Sequence, residues 1–550
     1  MAPRRSRRPR PARRGQPLDR LALIVIAVLG LALGLLILSG DHATARVRDF
    51  TWQGRQVGAE DRAFLLTFSR PMDVASVEEN LKLEPPLPGQ VSWAGRRMAY
   101  TVTEPPPYGE SFTLSLEGAR DRYGVGRDRP SRFEPFQAQF QTRQRAFLYI
   151  GAEGDEANRL VLADLDRQER TILTPPNLSV LAFTPYPLSD RVLFAASDDS
   201  QADSLLNQQI YTVTTGITPR PPADFTSDRP SLWQQLRPQG APQPSGEIAL
   251  VLDSRGYQNL KFDLSPDGQT IVVQRVNQQN PADFGPWLVR AGELPTPLKT
   301  EPGGDFLIAP DSQTLLMLQG EGTAVIDLGG TTNGPRQPLD FLPNYGRVLD
   351  LAADGSAAAM VNFNQDDPEK RFTESLFLVT NQGREDELLQ VSGSILEAQF
   401  DPVRPVLYVL ATELVDAPED SETLQAADAY VEQPLLLAVT LADGEVSPLL
   451  RLPRQQRVHL SVAPDGRSLL LNLAAEAAAS AERPKIWHLP LVYQPSDSAP
   501  PKSAAEAKVA TPAAAASGDI EADAAAPVQT AAVLDPETFP FSGLQATWLP

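Results

Sequence analysis

A chain of 550 residues with a formal net charge of −20 is long enough for two or three domains with cores of their own. Its acidity excludes a nucleic-acid partner, because phosphate binding needs concentrated Lys and Arg to displace counterions. Cysteine is absent, which excludes disulfides, a thiol nucleophile and a thiolate metal site, so packing must hold the fold.

The N-terminal 1–20 form a basic arm, in which Arg4, Arg5, Arg7, Arg8, Arg10, Arg13 and Arg14 make the only dense basic run. Residues 21–40 follow without a single charge. As a helix this run measures about 30 Å at roughly 1.5 Å per residue, the thickness of a bilayer core. Arginines on its N-terminal side predict that the arm stays in the cytoplasm. The rest of the chain then lies outside the cytoplasm, a single-pass cell-membrane protein with its bulk in the periplasm. The alternative is a secreted protein cleaved near Ala45, since Ala43-Thr44-Ala45 fits a small-x-small site. The length of the run favours the anchor, because signal-peptide cores span about 7 to 15 residues.

Over 46–142 short apolar runs alternate with Pro/Gly turns, as in Phe64-Leu65-Leu66-Thr67-Phe68 and Ser111-Phe112-Thr113-Leu114-Ser115-Leu116. This pattern predicts a β-sandwich. Phe68-Ser69-Arg70-Pro71-Met72-Asp73, Tyr108-Gly109 and Gly118-Ala119-Arg120-Asp121-Arg122-Tyr123-Gly124 resemble the bacterial Ig-like domain of S-layer and other surface proteins. Those motifs mark turns and carry no chemistry.

Over 146–494 a unit repeats whose clearest copy is Phe262-Asp263-Leu264-Ser265-Pro266-Asp267-Gly268-Gln269-Thr270-Ile271-Val272-Val273. It reads as strand, type I turn and strand, with Pro presetting φ at the second turn position and Gly freeing the fourth. Further copies fall at Phe183-Thr184-Pro185, Ile308-Ala309-Pro310-Asp311, Leu351-Ala352-Ala353-Asp354-Gly355, Phe400-Asp401-Pro402 and Val462-Ala463-Pro464-Asp465-Gly466. The tighter marks recur at about the length of a four-stranded propeller blade. The repeat resembles the TolB-like and WD40-like propellers of bacterial envelope proteins. The predicted fold is therefore all-β: an Ig-like β-sandwich and a β-propeller of seven blades, with six and eight as the alternatives, behind one transmembrane helix.

Two stretches read as insertions, the Pro-rich Thr218 to Ser245 around Trp233 and the acidic Glu413 to Glu432. Residues 495–535 are Ala/Pro-rich and read as a disordered linker. Residues 540–550 read as structure again, because Leu544-Gln545-Ala546-Thr547-Trp548-Leu549-Pro550 parallels Leu396-Glu397-Ala398-Gln399-Phe400-Asp401-Pro402. The first blade has only three strands of its own, so this C-terminal strand is predicted to close the ring on it and to bury Trp548.

No nucleophile elbow and no phosphate-binding loop is present. His42, His459 and His488 are too few for a three-His zinc site, and each reads as structural or solvated. Asp198, Asp199 and Asp203, and Asp366 with Asp367, lack calcium-loop spacing. Asp267, Asp311, Asp354 and Asp465 recur with the repeat, as turn formers do. No catalytic, cofactor or metal residue is assigned, and Trp233 alone is a candidate recognition residue. The chain is thus read as a non-enzymatic binding or scaffolding protein whose propeller engages a protein, peptide or glycan of the envelope. A propeller hydrolase or lyase with acidic channel residues, and a structural surface protein, are the alternatives.

Overall fold

The computed structural model describes residues 21, 24–31, 44–122, 133–198, 207–218, 244–320, 322–329, 338–343, 345–365, 367–416, 430–452, 457–474, 484–495, 529–533 and 536–550. Of the predicted anchor, Leu21 and residues 24–31 are helical with exposed apolar side chains. Its other residues and the arginine run lie outside the described ones. Among the described residues, no helix is long and apolar enough to cross a membrane.

The described residues of 45–122 and 133–142 build two four-stranded sheets around one apolar core. One sheet orders Val47–Phe50, Ala63–Phe68, Arg97–Val102 and Gly89–Ala94; the other orders Gln56–Val57, Phe136–Thr142, Ser111–Leu116 and Leu81–Glu84. Alternation decides which side chains enter. Phe64, Leu66 and Phe68 point inward from one sheet and Phe112, Leu114 and Leu116 from the other, as the period of two requires. Trp52 sits fully buried between Phe64 and Phe140, with ring centroids 5.1 and 5.0 Å away. A short helix, Val74–Asn80, interrupts the strands and inserts Val77 into the core. The purely β reading missed it, because seven residues with one inward apolar side chain leave no helical period to detect.

The described residues from Ala146 to Pro550 form a closed ring of seven antiparallel blades. Blades 2 to 6 are separate four-stranded sheets that follow one another along the sequence. Blades 1 and 7 share a joint eight-stranded sheet that the last strand, Glu537–Trp548, divides. Its first half pairs with Lys485–Pro495 of blade 7, as in Trp487↔Thr538. Its second half pairs with Ala146–Gly151 of blade 1, as in Leu544↔Ile150 and Trp548↔Phe147. One strand therefore stitches the two ends of the ring, serving as the last strand of blade 7 and the first strand of blade 1. Trp548 is 6% exposed and packs against Phe147, Ala463 and Leu470 between blades 7 and 1.

Strands flanked by blades on both faces read as continuous apolar runs rather than alternating ones. Ala146–Gly151 is buried throughout, and Arg191–Asp198 and Thr270–Asn277 nearly so. The repeated turn closes as its residues dictate. Gly268, Gly355 and Gly466 occupy the left-handed region, at φ +70°, +70° and +65°, and donate to the carbonyls of Ser265, Ala352 and Ala463 at 2.7, 2.8 and 2.8 Å. Blade 4 has Ser312 at that place and forces it to φ +60°, a conformation that costs a side chain more than glycine.

Two predicted boundaries are corrected. The acidic insertion is narrower than Glu413 to Glu432, since strands Val406–Asp416 and Tyr430–Thr440 stay paired out to Asp416↔Tyr430. Leu414, Val415, Tyr430 and Val431 have the side chains that strands favour, and these outweighed the acidic neighbours. The predicted linker is also shorter than 495–535. Gln529–Val533 forms a strand along the C-terminal half of Lys485–Pro495 and buries Ala531. The uniform alanine composition hid the change from linker to strand.

Candidate functional site

Several of the sequence candidates, Trp233, His42, Asp199, Asp203 and Asp366, lie outside the described residues. Asp198 ends a blade 2 strand, and the Asp367 carboxylate accepts the Glu369 N–H at 2.9 Å, closing a local turn. The repeat aspartates hold turns. Asp267 accepts from Gln269 N–H at 2.9 Å, Asp311 from Gln313 and Thr314 N–H at 2.9 Å each, and Asp354 from Ser356 N–H at 2.9 Å. Asp465 does the same for Arg467 N–H at 3.1 Å, but its second oxygen accepts the Tyr108 N–H at 3.0 Å. A turn former has here become a joint between the two-sheet unit and the ring.

That joint covers one sector of the ring. Arg404, on the blade 6 turn, reaches Glu104 at 2.9 Å and the Gly466 carbonyl at 3.1 Å, and lies 3.6 Å over the Tyr493 ring. Beneath it the Asp401 carboxylate accepts from the Tyr493 hydroxyl at 2.7 Å and the Tyr408 hydroxyl at 3.2 Å. Burial raises the Asp401 carboxyl above its ordinary value, against the lowering by Tyr493, two backbone N–H groups and Arg404. Arg143 donates to the carbonyl of Pro550 at 2.9 Å. These contacts fall on blades 6, 7 and 1.

Four of the seven junctions are tied by a repeated bond that the sequence reading missed; among the described residues, those of blades 1 and 2, 2 and 3, and 4 and 5 lack it. The residue two places before the turn accepts the N–H one place before the turn of the next blade. Asp263 accepts from Ile308 at 2.7 Å, Asp350 from Phe400 at 2.8 Å, Gln399 from Val462 at 3.0 Å and Ser461 from Trp548 at 3.1 Å. Burial pushes the Asp350 carboxyl up to about 6, opposed by the N–H groups of Phe400 and Leu351. A polar residue recurring at one register inside apolar strands was the available signal. Blade 4 carries Leu307 at that register, and no hydrogen bond between described residues joins it to blade 5.

The same junction is the poorest in packing. Each of the seven junctions has its own apolar cluster. That of blades 6 and 7 buries Tyr408, Leu410, Leu460, Leu471 and nine others, whereas that of blades 4 and 5 buries only Ala358, Met360 and Val379, all from blade 5. A cleft of about 490 Å³ opens in the gap, within the range of roughly 300 to 1,000 Å³ typical of ligand sites. Its floor is Leu316, Val325, Leu351, Ala358 and Val379, and its mouth holds Asp311, Asp354 and Asn381. The cleft is lined by residues of the ring alone, with none from the two-sheet unit.

A third arrangement runs along the first strands of blades 6, 7 and 1. Glu397 lies 3.2 Å from His459 Nδ1 and also accepts the Leu460 N–H at 2.9 Å; His459 Nε2 lies 3.4 Å from Thr547 Oγ1. Burial pulls the His459 imidazole down, but the charge and hydrogen bond of Glu397 more than offset it and leave the imidazole above its usual value. Carboxylate, imidazole and hydroxyl stand in the order that activates a hydroxyl, although Thr547 also donates to the Gln545 carbonyl at 3.0 Å. His488, by contrast, is lowered mainly by burial and packs beside Trp548.

No family model and no curated protein matches the chain. In fold it is similar to solved β-propellers. TolB from Acinetobacter baumannii matches with 12% identity over 66% of this chain and 79% of that one, at a TM-score of 0.33. An oligogalacturonate lyase in complex with manganese matches with 12% identity over 60% and 81%, at 0.39. A candidate 6-phosphogluconolactonase from Bacteroides fragilis matches with 13% identity over 63% and 90%, at 0.34. The reading of the chain as a non-enzyme is corrected on this point, since proteins named as enzymes stand beside TolB among the similar folds. The physical reason is that a propeller gathers side chains from separate blades, so a site leaves no contiguous motif to find. These likenesses bear on the propeller; the resemblance of 46–142 to Ig-like S-layer domains has no counterpart among them.

Proposed function

We propose that the chain is a membrane-tethered, extracytoplasmic binding protein whose ring engages a protein or peptide of the cell envelope. The observation that carries this reading is the pairing of six junctions each crossed by hydrogen bonds with one that, among the described residues, is crossed by none and opens an apolar cleft that the two-sheet unit leaves uncovered. The apolar run 21–40 and the arginines before it support the tether, and the two-sheet unit serves as an Ig-like spacer fixed to blades 6, 7 and 1. Full-length chain cross-linked in intact cells and extracted in detergent should bring down a defined envelope partner, and recovery of none would remove the reading. A reporter fused after Gln494 should be active only outside the cytoplasm; activity inside would overturn the orientation.

A second reading has one observation behind it. The Glu397, His459 and Thr547 chain supports hydroxyl-centred chemistry on the inner face of the ring. Thr547→Val should then abolish turnover of any ester or glycan substrate found for the protein while leaving its unfolding temperature within a few degrees. Undiminished turnover would remove this reading.

A further inference from the structure

We infer that the cleft between blades 4 and 5 takes an extended peptide segment that inserts an aliphatic side chain and sets a Lys or Arg against Asp311 and Asp354. This rests on the binding reading above and names its partner class.

The cleft opens where the contacts between blades fail. Where Asp263, Asp350, Gln399 and Ser461 reach across to the next blade, Leu307 offers no acceptor. The neighbouring blade 5 strand therefore lacks the bond that the first strands of blades 4, 6, 7 and 1 receive, and no other hydrogen bond between described residues crosses this junction. By contrast, Val180 N–H to the Asn158 carbonyl at 2.8 Å crosses that of blades 1 and 2, and Asn259 to the Gln208 carbonyl at 2.9 Å that of blades 2 and 3. The gap reaches down to Leu316, Ala358 and Val379, each less than a tenth exposed. An apolar floor at the end of an open cleft gains free energy when a side chain covers it, at about 25 cal/mol for each Å² removed from water.

The chemistry of the lining selects the occupant. The lining contains no Trp, Tyr or Phe, so it has no flat face on which a sugar ring or an aromatic group would stack, and aliphatic side chains suit it better. At the mouth, hydrogen bonds from Thr314 and Gln313 outweigh burial at Asp311, and those from Ser356 act on Asp354, so both carboxyls lie below their ordinary values. Both turns thus carry full negative charge at neutral pH, with Asn381 beside them. A cationic neighbour to the aliphatic anchor is attracted and an anionic one repelled. The chain's net charge of −20 acts in the same direction on approach.

The test uses the full-length chain in detergent and three fluorescent octapeptides read by anisotropy. The first has two leucines flanked by lysines, the second replaces the lysines by glutamates, and the third replaces the leucines by serines. The leucine and lysine peptide should saturate, with the other two weaker by at least about tenfold. Ala357→Trp and Ala353→Trp each place a ring in the cleft, and the second does so from an exposed turn, where it burdens folding little. Each should weaken binding by about tenfold. Asp311→Asn with Asp354→Asn keeps the turn acceptors and should weaken it about three- to tenfold while flattening its salt dependence. Equal binding of the lysine and glutamate peptides, or unchanged binding by both tryptophan variants, would overturn the inference. Cross-linked envelope partners that persist in the tryptophan variants would sink the cleft but leave the binding reading intact.

Discussion

The junction between blades 6 and 7 and the junction between blades 4 and 5 come from the same repeat and reach opposite outcomes. The first joins Gln399 to Val462 and Glu397 to Leu460 across the gap and packs Leu410, Leu436, Leu460, Leu469 and Leu471 in one cluster. The second has Leu307 in place of an acceptor and buries three apolar residues. A propeller ring is closed, so each blade is held from two sides. One weak junction is then tolerated because the closing strand Glu537–Trp548 and the other junctions hold the circle. The lesson is that the repeat supplies the blade, while single residues at one register decide whether neighbouring blades are locked or left apart.

The ring depends most on its closing strand. Deleting residues 537–550 removes the strand shared by blades 1 and 7 and should abolish cooperative unfolding, with fragments released early in limited proteolysis. Trp548→Ala should cost about 3 to 5 kcal/mol in the same assay. An unchanged unfolding curve for the deletion would mean that the ring does not depend on this strand.

Core substitutions sharpen the contrast between the two junctions. Leu471→Ala, fully buried between blades 6 and 7, should destabilise by about 2 to 5 kcal/mol. Leu351→Ala beside the cleft should cost about 1 kcal/mol or less, because its side chain is only partly buried. Equal losses in denaturant titrations would show that the two junctions are packed alike.

The clamp itself is tested by Gln399→Leu, which leaves the Val462 N–H without its acceptor and should cost about 1 to 3 kcal/mol. Leu307→Gln makes the reverse change and should raise stability by about 1 kcal/mol while reducing peptide binding at the cleft. Loss of stability in Leu307→Gln would mean that this register cannot reach blade 5.

The smallest effect is on pH dependence. Burial first, and Glu397 weakly, raise Asp350 to about 6, so the folded chain keeps a proton that the unfolded chain releases near pH 4. The folded state then binds more protons between about pH 4 and 6, and stability from this group falls as pH rises through that window. Asp350→Asn should flatten this part of the profile, measured as urea midpoints from pH 4 to 7. An identical slope in both chains would assign the proton elsewhere.

Much of the ring was legible in local chemistry. Ser265-Pro266-Asp267-Gly268 and its copies marked the strand pairs, since turn residues and apolar runs act over a few neighbours. The parallel between Leu544 to Pro550 and Leu396 to Pro402 marked a strand at the end of the chain, and that strand lies against Ala146–Gly151. The helix Val74–Asn80 and the strand Gln529–Val533 were not legible, one being too short for a period and the other too uniform in composition.

The site was legible only in part. Asp263, Asp350, Gln399 and Ser461 could have been lined up by register, but three different residue types doing one task hid the pattern. The cleft could not be read at all, because Leu316 and Leu351 are separated along the chain and meet only when two blades stand side by side. The sequence by itself determined the strands, the turns and the number of times they recur, because those depend on interactions between near neighbours. Tertiary structure decided that the last strand also pairs with blade 7, which aspartate serves the two-sheet unit and which pair of blades stays apart. Those outcomes depend on distances between blades, and a distance across a closed ring is set by every junction at once.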